Sequence, residues 1–131
     1  MGARPLHYVV PFHHDASHAL GQLREQVFSA GAFDGAWRRP ASVDAALSNA
    51  GESGTRSILD VDRVSRTPQP GAACALSQHE YSRYFRGSAP TVEEVMDCDD
   101  LWQDLKRGVI RIVQARRSEE VVLMFIGYTF D

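Results

Sequence analysis

The residues best suited to chemistry lie in one short cluster near the N-terminus, His13-His14-Asp15-Ala16-Ser17-His18. From His14, the cluster has the spacing H-D-x-x-H, which is that of the zinc-binding pattern H-E-x-x-H with aspartate in place of glutamate. Two histidines four residues apart within a helix lie on the same face and can bind one metal ion. His13, His14 and His18 are therefore the candidate metal ligands.

The same cluster has a simpler interpretation as the start of a helix. Asp15 is a favourable N-cap residue, and His14 would then precede the helix rather than lie inside it. A third ligand would have to come from His13, His7, His79 or a cysteine, and the sequence nominates none of them. We therefore predict no cofactor, and a divalent metal at these histidines is the alternative.

A second set of candidate residues lies in residues 55–64, which we predict to be a strand because apolar and polar residues alternate there. Asp60 and Asp62 would share one face of that strand, where they could act as an acid and base pair or bind a ligand together with Arg56. The structural alternative is that both carboxylates form ion pairs with neighbouring arginines, and this alternative is favoured.

Aromatic residues give two further candidate ligand contacts. His79, Tyr81 and Tyr84 lie on one short predicted helix, where histidine and tyrosine can exchange protons but aromatic rings more often anchor the helix to the core. Phe33 and Trp37 lie in a loop-like segment, and we expect them to cover the core or to line the mouth of a ligand site.

An acidic run follows in the second half of the chain. It contains Glu93, Glu94, Asp97, Asp99, Asp100 and Asp104. Such a run usually forms a solvated helix face, and it is also a potential docking surface for a basic protein.

The C-terminal residues 121–130 carry no charge and are apolar on both alternating faces, which is typical of a strand in the middle of a sheet. Residues 109–116 would pair with this strand as an antiparallel hairpin, and residues 6–12 form a first strand near a sheet edge because of Pro11. No regular element is predicted for the proline-rich residues 65–75.

Helices are predicted from apolar spacing and from capping residues. The first spans residues 16–30 between Asp15 and Gly31, and the second spans 43–50 after Ser42. The third begins at Ser77 and ends before Gly87. A helix or helix pair, broken near Cys98, follows Thr91.

These elements predict an α+β fold for a single domain spanning residues 1–131. The fold would contain a mainly antiparallel sheet of about four strands with a C-terminal hairpin, and helices packed against the sheet.

Composition excludes several classes of function. The net charge of −3 gives no basic surface for nucleic acid. The longest apolar stretch is too short for a transmembrane helix, and the N-terminus lacks the apolar segment of a signal peptide. Because two cysteines do not make a disulfide framework, we expect a cytoplasmic protein with no membrane partner.

The leading functional hypothesis is a small binding or accessory protein. Its partner would be a protein docked on the acidic run or a small molecule held beneath Phe33 and Trp37. The alternative is a small biosynthetic hydrolase, lyase or isomerase that uses His14 and His18 with Asp60, Asp62 or His79, with or without a metal. A homodimer through the first strand is a third hypothesis.

Overall fold

The computed structural model describes residues 3–86 and 89–130. In this part of the chain, a five-stranded mixed sheet has the strand order β1-β5-β4-β3-β2. Its strands are β1 (Pro5–Pro11), β2 (Arg63–Val64), β3 (Ala72–Ala75), β4 (Ile110–Arg117) and β5 (Glu120–Tyr128).

The strand directions confirm an α+β fold but correct the prediction of a mainly antiparallel sheet of about four strands. β5 is antiparallel to both of its neighbours, β1 and β4, and the C-terminal hairpin is confirmed. The other half of the sheet is parallel, because β3 pairs with β4 and β2 pairs with β3 in the same direction.

The central position of β5 follows from its sequence. Leu123 and Phe125 belong to one core cluster, whereas Met124 and Ile126 belong to a second cluster on the other face of the sheet. All four side chains are buried. The apolar residues on both faces of this strand therefore hold two layers of helices against one sheet.

Two helices cover the first face of the sheet. They are α1 (Ala16–Ala30) and α2 (Val43–Ala50), and both match the predicted bounds. The carboxylate of Asp15 accepts a hydrogen bond from the Ser17 backbone N–H at 2.9 Å, and Ser42 caps α2 in the same way. Gly31 ends α1 with a left-handed conformation at φ 66°, which a residue without a side chain adopts without strain.

Three short helices cover the second face. They are α3 (Gln78–Phe85), α4 (Val92–Asp97) and α5 (Asp99–Asp104). A capping box is present at the start of α3, between Ser77 and Glu80, and at the start of α4, between Thr91 and Glu94. The predicted stop of α3 at Gly87 lies outside the described residues.

The prediction of a strand over residues 55–64 was wrong. The side chain of Ser57 caps a 3₁₀ turn, Ile58–Asp60, and only Arg63–Val64 forms a strand. β3 lies within residues 65–75, for which no regular element was predicted. Its small residues have low strand propensity, and burial within the sheet overrides that propensity.

Candidate functional site

The histidine cluster lies at the exposed corner between β1 and α1. The ring of His18 stacks on that of His13 at 4.2 Å, whereas His14 makes an edge contact with Phe12 at 4.9 Å. Asp15 uses its carboxylate to cap α1, and its own backbone N–H donates to Nδ1 of His13. Within residues 3–86 and 89–130, no group of three or more His, Cys, Asp or Glu side chains has a metal-binding arrangement.

Asp60 and Asp62 do not share a strand face, which corrects the placement inferred from alternation. Asp60 accepts hydrogen bonds from the backbone N–H of Thr55 at 2.7 Å and from that of Arg56 at 3.1 Å. The Thr55 hydroxyl donates to the same carboxylate at 2.8 Å. Asp62 is exposed and pairs with Arg63. The Asp60 carboxylate therefore organises its own turn.

Gly54 shows how closely this turn is packed. It has a left-handed conformation at φ 71°, and a Cβ atom at this position would lie 2.6 Å from the Asp60 carboxylate. A side chain at residue 54 would therefore displace the group that holds the turn together.

The loop between α1 and α2 separates its two aromatic residues. Phe33 stacks on Phe28 at 5.8 Å and packs against the first core cluster. Trp37 is 78% exposed and contacts its neighbour Arg38. A cavity of about 260 Å³ beside the loop is lined by Phe33 and Arg56, together with Asp34, but not by Trp37.

The three candidate residues on α3 have different surroundings. His79 is exposed. The Tyr81 hydroxyl accepts a hydrogen bond from the backbone N–H of Gln114 at 2.8 Å, and burial raises the pKa of Tyr81. The Tyr84 hydroxyl donates to Asp104, and partial burial together with this carboxylate raises the pKa of Tyr84 to about 12.

A buried arginine that the sequence prediction missed lies on β4. Arg111 is only 8% exposed, and its Nε donates to the Cys74 carbonyl of β3 at 3.1 Å. Its Nη2 donates to the Ala75 carbonyl at 3.3 Å and to Glu80 at 2.7 Å, and its Nη1 donates to Glu80 at 2.9 Å. The hydrogen bond to Arg111 holds the pKa of the Glu80 carboxyl below its usual value.

The hydrogen bonds of Arg111 do not use all of the N–H donors of its guanidinium group. A guanidinium group has five N–H bonds, and these contacts use four of them. The second hydrogen on Nη1 has no acceptor among the residues that the structure describes. This N–H can therefore bond either to solvent or to an acceptor on a bound ligand.

Arg111 borders a cleft of about 500 Å³, which we call the Arg111 cleft. The cleft lies between the segment before β3 and the segment that joins α5 to β4. Its apolar lining comprises Pro68, Pro70, Leu105 and Val109, and its charged lining comprises Asp104, Lys106, Arg107 and Arg111.

The wall of this cleft is held in place by backbone contacts. The Gly108 carbonyl accepts from the Gly71 N–H at 2.9 Å, and the Gly108 N–H donates to the Tyr128 carbonyl at 3.0 Å. Gly108 has a φ of 73° and lies directly against the ring of Phe130. Glycine is therefore required where the two sides of the cleft meet the end of β5.

One sequence signal could have indicated this site. Arg111 is the only charged residue in the run Val109–Val113. A charge on a buried strand requires a partner, and the capping-box carboxylate of Glu80 supplies it. The cleft itself depends on the parallel pairing of β3 with β4, which alternation does not reveal.

Comparison with known proteins does not suggest a function, so we infer the function from the geometry of the site. No protein-family model matches the chain, and no curated protein or solved structure is significantly similar to it. Among the described residues, no helix is long and apolar enough to span a bilayer.

Proposed function

We propose that this protein binds a small organic anion in the Arg111 cleft. The observation that carries the proposal is a buried guanidinium, fixed by Glu80 and two β3 carbonyls, with one N–H left for an acceptor beside an open cleft. Charge-assisted hydrogen bonds from a fixed guanidinium to a carboxylate or phosphate oxygen are among the strongest polar contacts in proteins.

The other lining residues define the class of ligand. Lys106 and Arg107 are exposed at the cleft and add positive charge, whereas Asp104 is occupied by the Tyr84 hydroxyl and by Arg83 at 3.6 Å. The two prolines provide an apolar wall. A ligand with one carboxylate or phosphate group and an apolar body matches this lining, and the cleft volume lies within the range of small-molecule sites.

Binding is favoured over catalysis because the lining offers few groups that could react. Asp104 is the only carboxylate among the described residues that line the cleft, and it is already hydrogen-bonded. The histidines and Asp60 of the enzyme hypothesis do not line the cleft. The proposal therefore keeps the small-ligand form of the sequence hypothesis and moves its site from the Phe33 loop to Arg111.

The test is an NMR titration of the backbone amides with inorganic phosphate, benzoate and phenyl phosphate. We expect benzoate or phenyl phosphate to shift the amides of Gln69, Gly71 and residues 104–111 most strongly, with inorganic phosphate weaker. A Lys106→Ala, Arg107→Ala double variant should weaken binding about tenfold, because both charges lie at the cleft.

The matched control is the Arg116→Ala, Arg117→Ala double variant, which removes two exposed charges from the end of β4. It should retain the affinity of the unaltered protein. Equal weakening in both double variants, or no site-specific amide shifts with any of the three anions, would contradict the proposal.

A further inference from the structure

Trp37 is exposed to an extent that is unusual for an indole side chain. Among the described residues, the only large hydrophobic side chains that are well exposed to solvent are Trp37 at 78% and Val121 at 42%. Tryptophan and arginine are the residue types most enriched among the residues that dominate the binding energy of protein interfaces. Trp37 lies directly before two arginines, Arg38 and Arg39.

The loop that carries Trp37 is held in a defined conformation. Trp37 lies in a 3₁₀ turn, Ala36–Arg38, and Nη1 of Arg38 donates to the Asn49 carbonyl of α2 at 3.1 Å. At the start of the loop, the Asp34 N–H donates to the Thr55 carbonyl at 2.8 Å. A loop whose backbone is fixed before binding loses less conformational entropy when a partner covers it. We call Trp37, Arg38 and Arg39 the tryptophan turn.

A surface of complementary charge lies on the other side of the sheet. This acidic groove, of about 410 Å³, lies between the end of α3 and the side of α4. It is lined by Tyr84, Phe85, Arg86, Glu93, Glu94, Asp97 and Cys98. Its lining therefore combines aromatic side chains with three carboxylates and a single cation.

Acidic and basic residues are also unevenly distributed along the chain. Residues 92–104 contain six acidic and no basic residues, so with a net charge of −3 the rest of the chain carries +3. Of these six carboxylates, only Asp104 forms an ion pair with a described residue. Glu93 and Asp97 are thus available to pair with cations brought by a partner, whereas the Glu94 carboxylate accepts from the Thr91 backbone N–H at 3.2 Å.

We propose that the tryptophan turn of one molecule docks into the acidic groove of a second copy of this chain. Trp37 would contact Tyr84 and Phe85, and the two arginines would pair with Glu93 and Asp97. An indole ring buries about 150–250 Å² and gains further stabilisation from aromatic neighbours, so one anchor gives a weak, reversible contact.

The position of the two surfaces determines the kind of assembly. The loop before α2 packs on the first core cluster, and α3 and α4 pack on the second, so the surfaces lie on opposite faces of the sheet. They cannot meet each other twice in one two-fold dimer. The contact is therefore head-to-tail and generates rings or chains that lengthen with concentration.

Pairing of sheet edges is the alternative mode of association. The edge strand β1 carries Pro5 and Pro11 at its two ends, and the opposite edge strand, β2, has only two residues. Prolines and short strands both limit edge-to-edge pairing. The edges are therefore less suited to association than the tryptophan turn and the acidic groove.

The test uses two variants that each lose one half of the contact. Trp37→Ala removes the anchor and leaves the groove intact, whereas Glu93→Lys, Asp97→Lys reverses the charge of the groove and leaves the anchor intact. Light scattering coupled to size-exclusion chromatography should show that the average mass of the unaltered protein rises between about 10 µM and about 1 mM. Each variant alone should remain a monomer over this range.

The decisive measurement is an equimolar mixture of the two variants. It should form a species of twice the monomer mass and nothing larger, because one intact groove meets one intact anchor. A monomeric unaltered protein at the highest concentration, or a mixture that stays monomeric, would overturn the proposal. Association that persists in Trp37→Ala alone would also overturn it and would favour the β1 edge. None of these outcomes depends on ligand binding in the Arg111 cleft.

Discussion

Asp60 is a partly buried charged group and Arg111 is a buried one, and their surroundings differ in one important respect. Asp60 is bonded by groups four and five residues away, which close a turn around it. Arg111 is bonded by residues 31 to 37 positions away and borders an open cleft. A charge enclosed by its own turn serves the fold, whereas a charge fixed by distant elements beside a cleft is available to a ligand.

The largest effect is expected at Asp60. Asp60→Ala removes the acceptor for two backbone N–H groups and for the Thr55 hydroxyl, and Thr55 is completely buried. Leaving buried donors without partners costs about 1–3 kcal/mol each, so we expect a loss of roughly 3–4 kcal/mol in the free energy of unfolding. Urea denaturation followed by circular dichroism measures this loss.

Asp62→Ala is the matched control for that experiment. The Asp62 side chain is exposed and pairs with the adjacent Arg63, so the free energy of unfolding should change by less than about 0.5 kcal/mol. Similar losses in the two variants would remove the distinction between an enclosed carboxylate and an exposed one.

An intermediate effect is expected at Glu80. Glu80→Gln retains an acceptor for the Ser77 N–H but loses the charge that pairs with Arg111. A hydrogen bond to a charged group contributes about 1.5–3 kcal/mol, so the free energy of unfolding should fall by about 2 kcal/mol. The cleft double variant Lys106→Ala, Arg107→Ala should lose binding without a comparable loss of stability. This result would separate the residue that holds the Arg111 guanidinium in place from the residues that contact a ligand.

The pH dependence of the Glu80 effect has a definite sign. Arg111 lowers the pKa of Glu80 below 4.5, so the unfolded chain takes up a proton at a higher pH than the folded protein does. The stabilising contribution is therefore fully present above the unfolded pKa and is lost as the pH falls through the folded value. The stability difference between the unaltered protein and Glu80→Gln should shrink on acidification and stay constant between pH 6 and 8, roughly the range where neither state titrates this group. A difference that grows on acidification would contradict the assignment.

Asp60 and Arg111 also explain what could and could not be predicted from the sequence. Caps such as Asp15 and Ser77 act over two or three residues, and the helix bounds could therefore be predicted accurately. The strand predicted around Asp60 was wrong because its side chain bonds to the local backbone and favours a turn. The ion pair of Arg111 with Glu80 joins residues 31 positions apart and needs the parallel half of the sheet, for which the sequence has no local signal.

The smallest effect is expected at Tyr84, on the rim between the acidic groove and the Arg111 cleft. Tyr84→Phe removes the hydrogen bond to Asp104 at a partly exposed position, so the loss near neutral pH should be about 0.5 kcal/mol. Partial burial and the Asp104 carboxylate raise the pKa of Tyr84 from 10.0 to about 12, so the folded state keeps its proton when the unfolded chain loses it. The contribution of the hydroxyl is therefore complete below pH 10 and is lost between pH 10 and about 12. Ultraviolet difference titration should show this high pKa in the unaltered protein and a lower one in Asp104→Asn. An unchanged pKa in Asp104→Asn would mean that burial alone raises the pKa of Tyr84, and it would contradict a contribution from the Asp104 carboxylate.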